Sequence, residues 1–260
     1  MPIELLPIAG ALVGFIVGLT GVGGGALMAP ILLFGFGYSL PVVIATDLLF
    51  AAITKLTVTR THQKNAFIDW QVLRRLWAGS IPATLVVVGC VQLGWVFAST
   101  DWLVVMLGVL IFISGLSLLL GQRIQALQVS RRIDAPERFK RFQSPLTTLS
   151  GGILGTLVTL TSVGAGALGA VFLRSLYPLR MTPQKLVATD TLHAIPVSLL
   201  GGLSYLALGL TDLTLLLLLL LGSVPAAILG SRLLAILSPT LVRTLVAIAL
   251  IVASIKLLVG

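Results

Sequence analysis

The sequence predicts an all-α polytopic membrane protein built from two inverted-topology repeats, with Gly-broken or re-entrant helices meeting near the midplane. Three observations lead there. The chain is 57% hydrophobic and 10% charged, with a mean hydropathy of +1.12, far more apolar than a soluble core requires. It repeats itself: Thr20-Gly-Val-Gly-Gly-Gly-Ala-Leu27 returns as Thr161-Ser-Val-Gly-Ala-Gly-Ala-Leu168 at an offset of 141, and Ala45-Thr-Asp47 as Ala188-Thr-Asp190 at an offset of 143. At that second offset Asp212 answers Asp69, and Gly222-Ser-Val-Pro-Ala226 answers Gly79-Ser-Ile-Pro-Ala83. Four of the eight acidic residues thus fall into two repeat-related pairs, which marks a duplicated membrane unit. The third observation is that the two copies carry their basic residues on opposite loops.

In order along the chain, residues 3–19 are apolar, Thr20 to Gly25 break the pattern, and 26–37 are apolar again. That second piece gives only ~18 Å of helix, too little to cross ~30 Å of hydrocarbon upright. It is either one of two short, broken helices or half of a re-entrant hairpin. The N-terminus, Met1-Pro-Ile-Glu4, has no positive region ahead of the first apolar run, as expected of a retained span and not a cleaved signal. A span at about 41–59 carries Asp47 and Lys55, and further spans follow at 76–94 and 102–121. Residues 122–145 form a basic cytoplasmic linker between repeat 1–121 and repeat 146–260. The second half follows the same plan: 146–160, the break Thr161 to Gly166, a short piece to Tyr177, then spans near 184–203, 213–231 and 240–259. Trp70, Trp77, Trp95 and Trp102 fall near span ends, where amphipathic rings sit at the membrane interface.

The loop at 60–75 carries Arg60, Lys64, Arg74 and Arg75, while its counterpart at 203–218 has no basic residue. Residues 35–41 have none, while their counterpart has Arg174, Arg180 and Lys185; the turn at 94–101 has none, while its counterpart has Arg232 and Arg243. With the linker in the cytoplasm, this bias puts loop 60–75 inside and both termini outside. The net charge of +9 is explained by these short loops; no continuous basic patch with interleaved aromatics exists, which excludes nucleic acid as a partner. No cofactor motif is present: no Lys-Ser/Thr follows the glycine-rich break as a nucleotide loop requires, and two His with one Cys do not make a zinc site. Cys90 stands alone, in an apolar run, and no intrachain disulfide is possible.

Asp47 and Asp190 are the strongest functional candidates, because a carboxylate deep in an apolar span costs at least ~2.5 kcal/mol unless paired or hydrated. The bland alternative is that each bonds backbone freed by the glycine break. Thr46 and Thr189 offer hydroxyls to an oxyanion, or bond their own backbone. Thr20, Gly21, Gly23, Gly24 and Gly25, with Thr161, Ser162, Gly164 and Gly166, interrupt two helices, and helix starts after such breaks present N–H groups that attract anions. Close packing through small residues is the competing explanation for the glycines. Lys55 is four residues from the end of its span, so snorkelling to the interface is the expected behaviour, with positive charge in a transport path as the alternative. His193 lies one turn after Asp190, where the two can share a proton, or it is a satisfied core residue. Pro82 and Pro225 are expected to bend their helices, and Asp69 and Asp212 to cap theirs.

With these residues in view, the chain resembles the TauE/SafE family of sulfite exporters and organosulfonate permeases. The resemblance rests on Gly18-Leu-Thr-Gly-Val-Gly-Gly-Gly25 with Pro30, Ala45-Thr-Asp-Leu-Leu-Phe-Ala-Ala-Ile-Thr-Lys55, Leu160-Thr-Ser-Val-Gly-Ala-Gly-Ala-Leu168, Asp190 to Pro196, and both Gly-Ser-x-Pro-Ala motifs. It implies a bacterial-type inner-membrane secondary carrier for a small sulfur-containing anion, and not an enzyme. Many members have Ser or Asn where this chain has Asp47 and Asp190, and proton coupling is the role that carboxylates at these positions fit. The expected partners are a small anionic solute, the lipid bilayer and protons. An uncoupled channel and an intramembrane aspartyl protease are the rival functions.

Overall fold

The computed structural model describes residues 3–20, 25–61, 67–97, 100–133, 136–164, 166–233 and 239–259. Among them every regular element is helical. After a short turn at Ile3–Leu5 come α1 (Leu6–Thr20), α2 (Gly25–Pro30), α3 (Leu40–Thr61), α4 (Trp70–Gln92), α5 (Asp101–Ile133), α6 (Pro136–Thr161), α7 (Ala167–Leu176), α8 (Pro183–Ala207), α9 (Leu213–Leu233) and α10 (Pro239–Val259). Among the described residues, six helices are long and apolar enough to cross a membrane. The protein is therefore a multi-pass membrane protein.

Local chemistry explains where several elements start and stop. α4 begins at Trp70, six residues before the apolar span read from the sequence, because the Asp69 side chain accepts a hydrogen bond from Val72 N–H at 3.3 Å. Asp212 does the same for Leu215 at 2.9 Å, at the head of α9. Both aspartates are the expected N-caps. Pro30 removes an N–H donor at the end of α2, and the chain continues as a wider π-helical turn over Ile31–Gly35. The stretch 122–145 proves largely helical in backbone, with α5 running through it to Ile133 and α6 starting at Pro136.

The two halves interlock. α1 packs most extensively on α9 and α6 on α4, so each half's first helix is held by a helix of the other half. α3 lies against α8 and α5 against α10, each helix beside its own repeat counterpart. Small residues make the first two contacts close. A Cβ at Gly10 would overlap the Leu219 carbonyl, and one at Gly14 the backbone of Ser223; in the other half Gly151 stands against Leu76 and Gly155 against Ser80 in the same way. Gly222 of one Gly-Ser-x-Pro-Ala motif meets Pro7, while Gly79 of the other meets Thr148. Each of these pairs is related to its partner pair by the sequence offsets 141 and 143. Pro82 and Pro225 lie inside α4 and α9 at exposed positions.

α3 is the most enclosed of the candidate spans: 72% of its apolar window is buried, against 39% for α1 and 33% for α9. Leu48 and Leu49 of α3 press on Gly201 and Gly202 of α8. Lys55, later on α3, faces Asp190 and His193, which come earlier on α8. The two helices therefore cross antiparallel at the centre of the molecule.

Candidate functional site

Asp47 and Asp190 each stand seven residues beyond the first residue of α3 and α8, about 10 Å into helices that run in opposite directions. Asp47 is fully enclosed and Asp190 is 3% exposed. Neither oxygen of Asp47 has a hydrogen-bond partner, and neither has Oδ1 of Asp190. The Ser162 hydroxyl, in the second glycine break, lies beside the Asp47 carboxylate without bonding it, and is itself unpartnered. Asp190 faces the backbone at Gly166 and rests on the α-carbon of Gly169, where a Cβ would overlap Oδ1. The repeat counterpart of Gly169 is Met28, so only the second half leaves room for its aspartate in this way.

Lys55 corrects the expectation of snorkelling. It is only 3% exposed and is the cation that faces Asp190, Asp47 and His193, yet it forms no ion pair within 4.0 Å with either aspartate. α8 and α9 both pack against α3, the helix that carries it. His193 is also fully buried. Its Nε2 shares a 3.0 Å hydrogen bond with Ser80 Oγ, its Nδ1 has no partner, and no hydrogen bond joins it to Asp190. The serine of the other Gly-Ser-x-Pro-Ala motif, Ser223, pairs with Thr54 Oγ1 of α3 at 3.3 Å. These two serines escaped the sequence reading. The available signal was their recurrence beside a proline that turns outward.

The threonines beside the aspartates are engaged elsewhere. Thr189 Oγ1 accepts the N–H of Asp69 at 3.1 Å, and Thr46 Oγ1 accepts the N–H of Asp212 at 3.3 Å. Each couples an aspartate-bearing helix to the capped start of a helix in the opposite half. Thr20 donates to Ile16 O at 2.8 Å and Thr161 to Leu157 O at 2.7 Å, the same backbone bond one repeat apart. Trp77 departs from the interfacial pattern, because its Nε1 donates to His193 O at 3.3 Å.

Three residues of the second break have positive φ: 60° at Ser162, 120° at Gly164 and 110° at Gly166. Glycine tolerates this without strain, whereas Ser162 does not. The N–H groups of Leu168 and Gly169, at the start of α7, both turn back to the Gly164 carbonyl, at 3.2 and 3.3 Å, so these two are not left unpaired. In the first break Gly21, Gly23 and Gly24 lie outside the described residues, and Gly25 opens α2. Residues flanking both breaks line one cavity of about 10 Å³: Thr20 and Ala26 from the first, Gly164 and the repeat-related Ala167 from the second, together with Ser114 of α5. That volume holds about one water molecule. A larger solute requires the surrounding helices to move.

One end of the assembly carries an ion-pair lock. Arg180, in the connection between α7 and α8, grips Asp69 through Nε–Oδ2 at 2.5 Å and Nη2–Oδ1 at 2.8 Å, and Gln71 through Nη1 at 2.9 Å. Nearby, Tyr177 accepts from Arg75 at 3.2 Å and bonds Thr147 of α6 at 2.8 Å. At the other end Asp212 faces the phenol of Tyr38, which burial first and the Asp212 charge second hold above its ordinary pKa.

Among the described residues no group of three or more His, Cys, Asp or Glu is placed to hold a metal ion. Comparison with known proteins agrees with a transport role. Residues 6–257 match the family described as Sulfite exporter TauE/SafE. A protein called Probable membrane transporter protein YjnA, from Bacillus subtilis, is 32% identical over 252 residues, covering 96% of this chain and 97% of its own. Probable membrane transporter protein y4hK, from Sinorhizobium fredii, is 32% identical over 123 residues, 45% of this chain and 47% of its own. No solved structure matches. The chain belongs to the TauE/SafE family of membrane transporters.

Proposed function

We propose that the protein is a secondary carrier for a small sulfur-containing anion, sulfite or an organosulfonate, working by alternating access in a bacterial-type inner membrane with protons as the coupling ion. One observation carries this reading: Asp47, Asp190 and Lys55 are all buried on the antiparallel pair α3 and α8, with Asp47 lacking any hydrogen-bond partner. Two carboxylates and one ammonium sum to a single negative charge, so the empty cluster is neutral when one of the two carboxyls holds a proton. Entry of a singly charged anion then requires the second carboxyl to take up a proton as well. One further proton thus moves with each such anion, and the cycle carries no net charge. His193, held by Ser80, is a neutral member of the cluster that positions α8 against α4.

The matched contacts of the two halves and the opposed course of α3 and α8 support a pair of inverted repeats, and the basic residues of the short loops are the ground for placing loop 60–75 in the cytoplasm and both termini outside. In this arrangement the Arg180–Asp69 lock closes the cytoplasmic end, beside Thr189 and Asp190. The solute sits beside the two breaks, near Thr20, Gly164 and Gly166, with Thr161 and Ser162 close by; Gly21, Gly23, Gly24 and Gly25 of the first break are proposed contacts on their sequence position alone. Thr46 and Thr189 transmit the opening of each end to the neighbouring aspartate.

The test is reconstitution in liposomes with sulfite, sulfate, thiosulfate, sulfoacetate, taurine and simple carboxylates, with and without a pH gradient. Accumulation of one sulfur anion, driven by the gradient, is the expected result. Flux that merely follows the solute's own gradient identifies an uncoupled channel, and flux of none of the panel rejects the assignment of substrate class.

A further inference from the structure

Ser114 is an unpaired polar group at the heart of an apolar interface. It lies in the middle of the apolar part of α5, is fully buried, and its hydroxyl has no hydrogen-bond partner. A serine in a membrane helix ordinarily bonds a carbonyl one turn back. Neighbours do so: Ser117 donates to Ser114 O at 2.9 Å, and Ser254 of α10 to Ile251 O at 2.7 Å. Ser114 forgoes that bond and borders the cavity between the two glycine breaks, together with Thr20, Ala26, Gly164 and Ala167. Leaving a buried hydroxyl unmade is unfavourable unless another partner takes it up.

The lining from α10 is hydrocarbon, Val246 and Leu250, and the residue 143 positions after Ser114 is Leu257. The hydroxyl therefore belongs to one half only and owes nothing to the duplicated scaffold. The second break links this cavity to the charged cluster, since Gly164 and Ala167 border the cavity while Ser162 lies beside Asp47.

We propose that Ser114 is a substrate-contacting, specificity-determining residue: its hydroxyl donates a hydrogen bond to an oxygen of the transported oxyanion when the cavity between the breaks widens. This rests on the carrier reading above and deepens it, because it calls for a solute with an acceptor oxygen. The experiment is the initial rate of radiolabelled sulfite uptake into proteoliposomes, over a range of concentrations, for the wild type, Ser114→Ala and Ser114→Thr. Loss of one hydrogen bond to a charged ligand predicts a KM roughly 10- to 100-fold higher in Ser114→Ala, with a maximal rate within about twofold of wild type. Ser114→Thr, which keeps the hydroxyl, returns KM most of the way. A hydroxyl of purely structural consequence leaves KM unchanged in Ser114→Ala, and that result overturns the inference while the carrier reading stands. If the wild type takes up another sulfur anion of the panel in place of sulfite, the same KM comparison is made with that labelled anion, and uptake of none of the panel overturns both readings together.

Discussion

Asp69 and Asp212 occupy equivalent places and do three-quarters of the same work. Each caps a helix, each lends its own N–H to a threonine of the opposite half, and each of those threonines precedes a buried aspartate. They differ in what reaches them from outside. Asp69 receives the bidentate grip of Arg180, whereas Asp212 faces the phenol of Tyr38. The duplicated positions build the frame, and the unduplicated ones make its two ends unequal. Lys55, whose counterpart is Ser198, His193, whose counterpart is Phe50, and Ser114, whose counterpart is Leu257, follow the same division.

The shared frame is tested most severely at its close contacts. Gly14→Leu and Gly155→Leu each force a side chain into the backbone of the facing helix, and each is expected to cost about 3 kcal/mol or more. Detergent-solubilised protein should show the loss as failed monodispersity or early thermal unfolding, to a similar degree in both. Free tolerance of leucine in one half would show that the halves are not packed alike.

The unequal ends separate next. Asp212→Ala removes a cap and should cost about 1 kcal/mol. Asp69→Ala removes the cap and the ion pair as well, and because the Arg180 side chain is 45% exposed the pair adds no more than about 1 kcal/mol. The apparent melting temperature of Asp69→Ala should therefore lie about 2–4 °C below that of Asp212→Ala. Equal melting would mean that the lock contributes nothing to the closed form. Arg180→Ala, which spares the cap, should account for most of that difference, and the gap should narrow at high salt. The smallest effect belongs to the other end: Tyr38→Phe should change stability by less than about 0.5 kcal/mol, and a larger change would reveal a second lock at Asp212.

Much of this was legible in the sequence, for identifiable reasons. The duplicated motifs sit at fixed offsets, and hydropathy marks most spans because hydrocarbon demands ~20 apolar residues. What stayed hidden depended on contacts between distant segments. Burial of Lys55 follows from the helices that enclose α3, while its position in the sequence points to the interface. Helical continuation of α5 past Gly121 leaves no hydropathy signal, since a helix outside the bilayer can be polar. The exchange of α1 and α6 between halves had a signal that went unused, the spacing of Gly10, Gly14 and Gly18 and of Gly151 and Gly155, which is the small-residue pattern of close membrane helices. The hydroxyls of Thr46 and Thr189 accept N–H bonds from Asp212 and Asp69 of the opposite halves, a pairing that the sequence could not show because which donor a hydroxyl meets is decided by the fold.

The proton-carrying role of the two buried carboxyls is the claim on which the rest depends. The direct measurement is sulfite accumulation in proteoliposomes driven by an imposed pH gradient, comparing wild type with Asp47→Asn and Asp190→Asn, and with sulfite exchange at uniform pH as the control for folding. Gradient-driven accumulation should vanish in both variants while some exchange persists. Accumulation in either variant that follows the pH gradient as in the wild type would contradict the account.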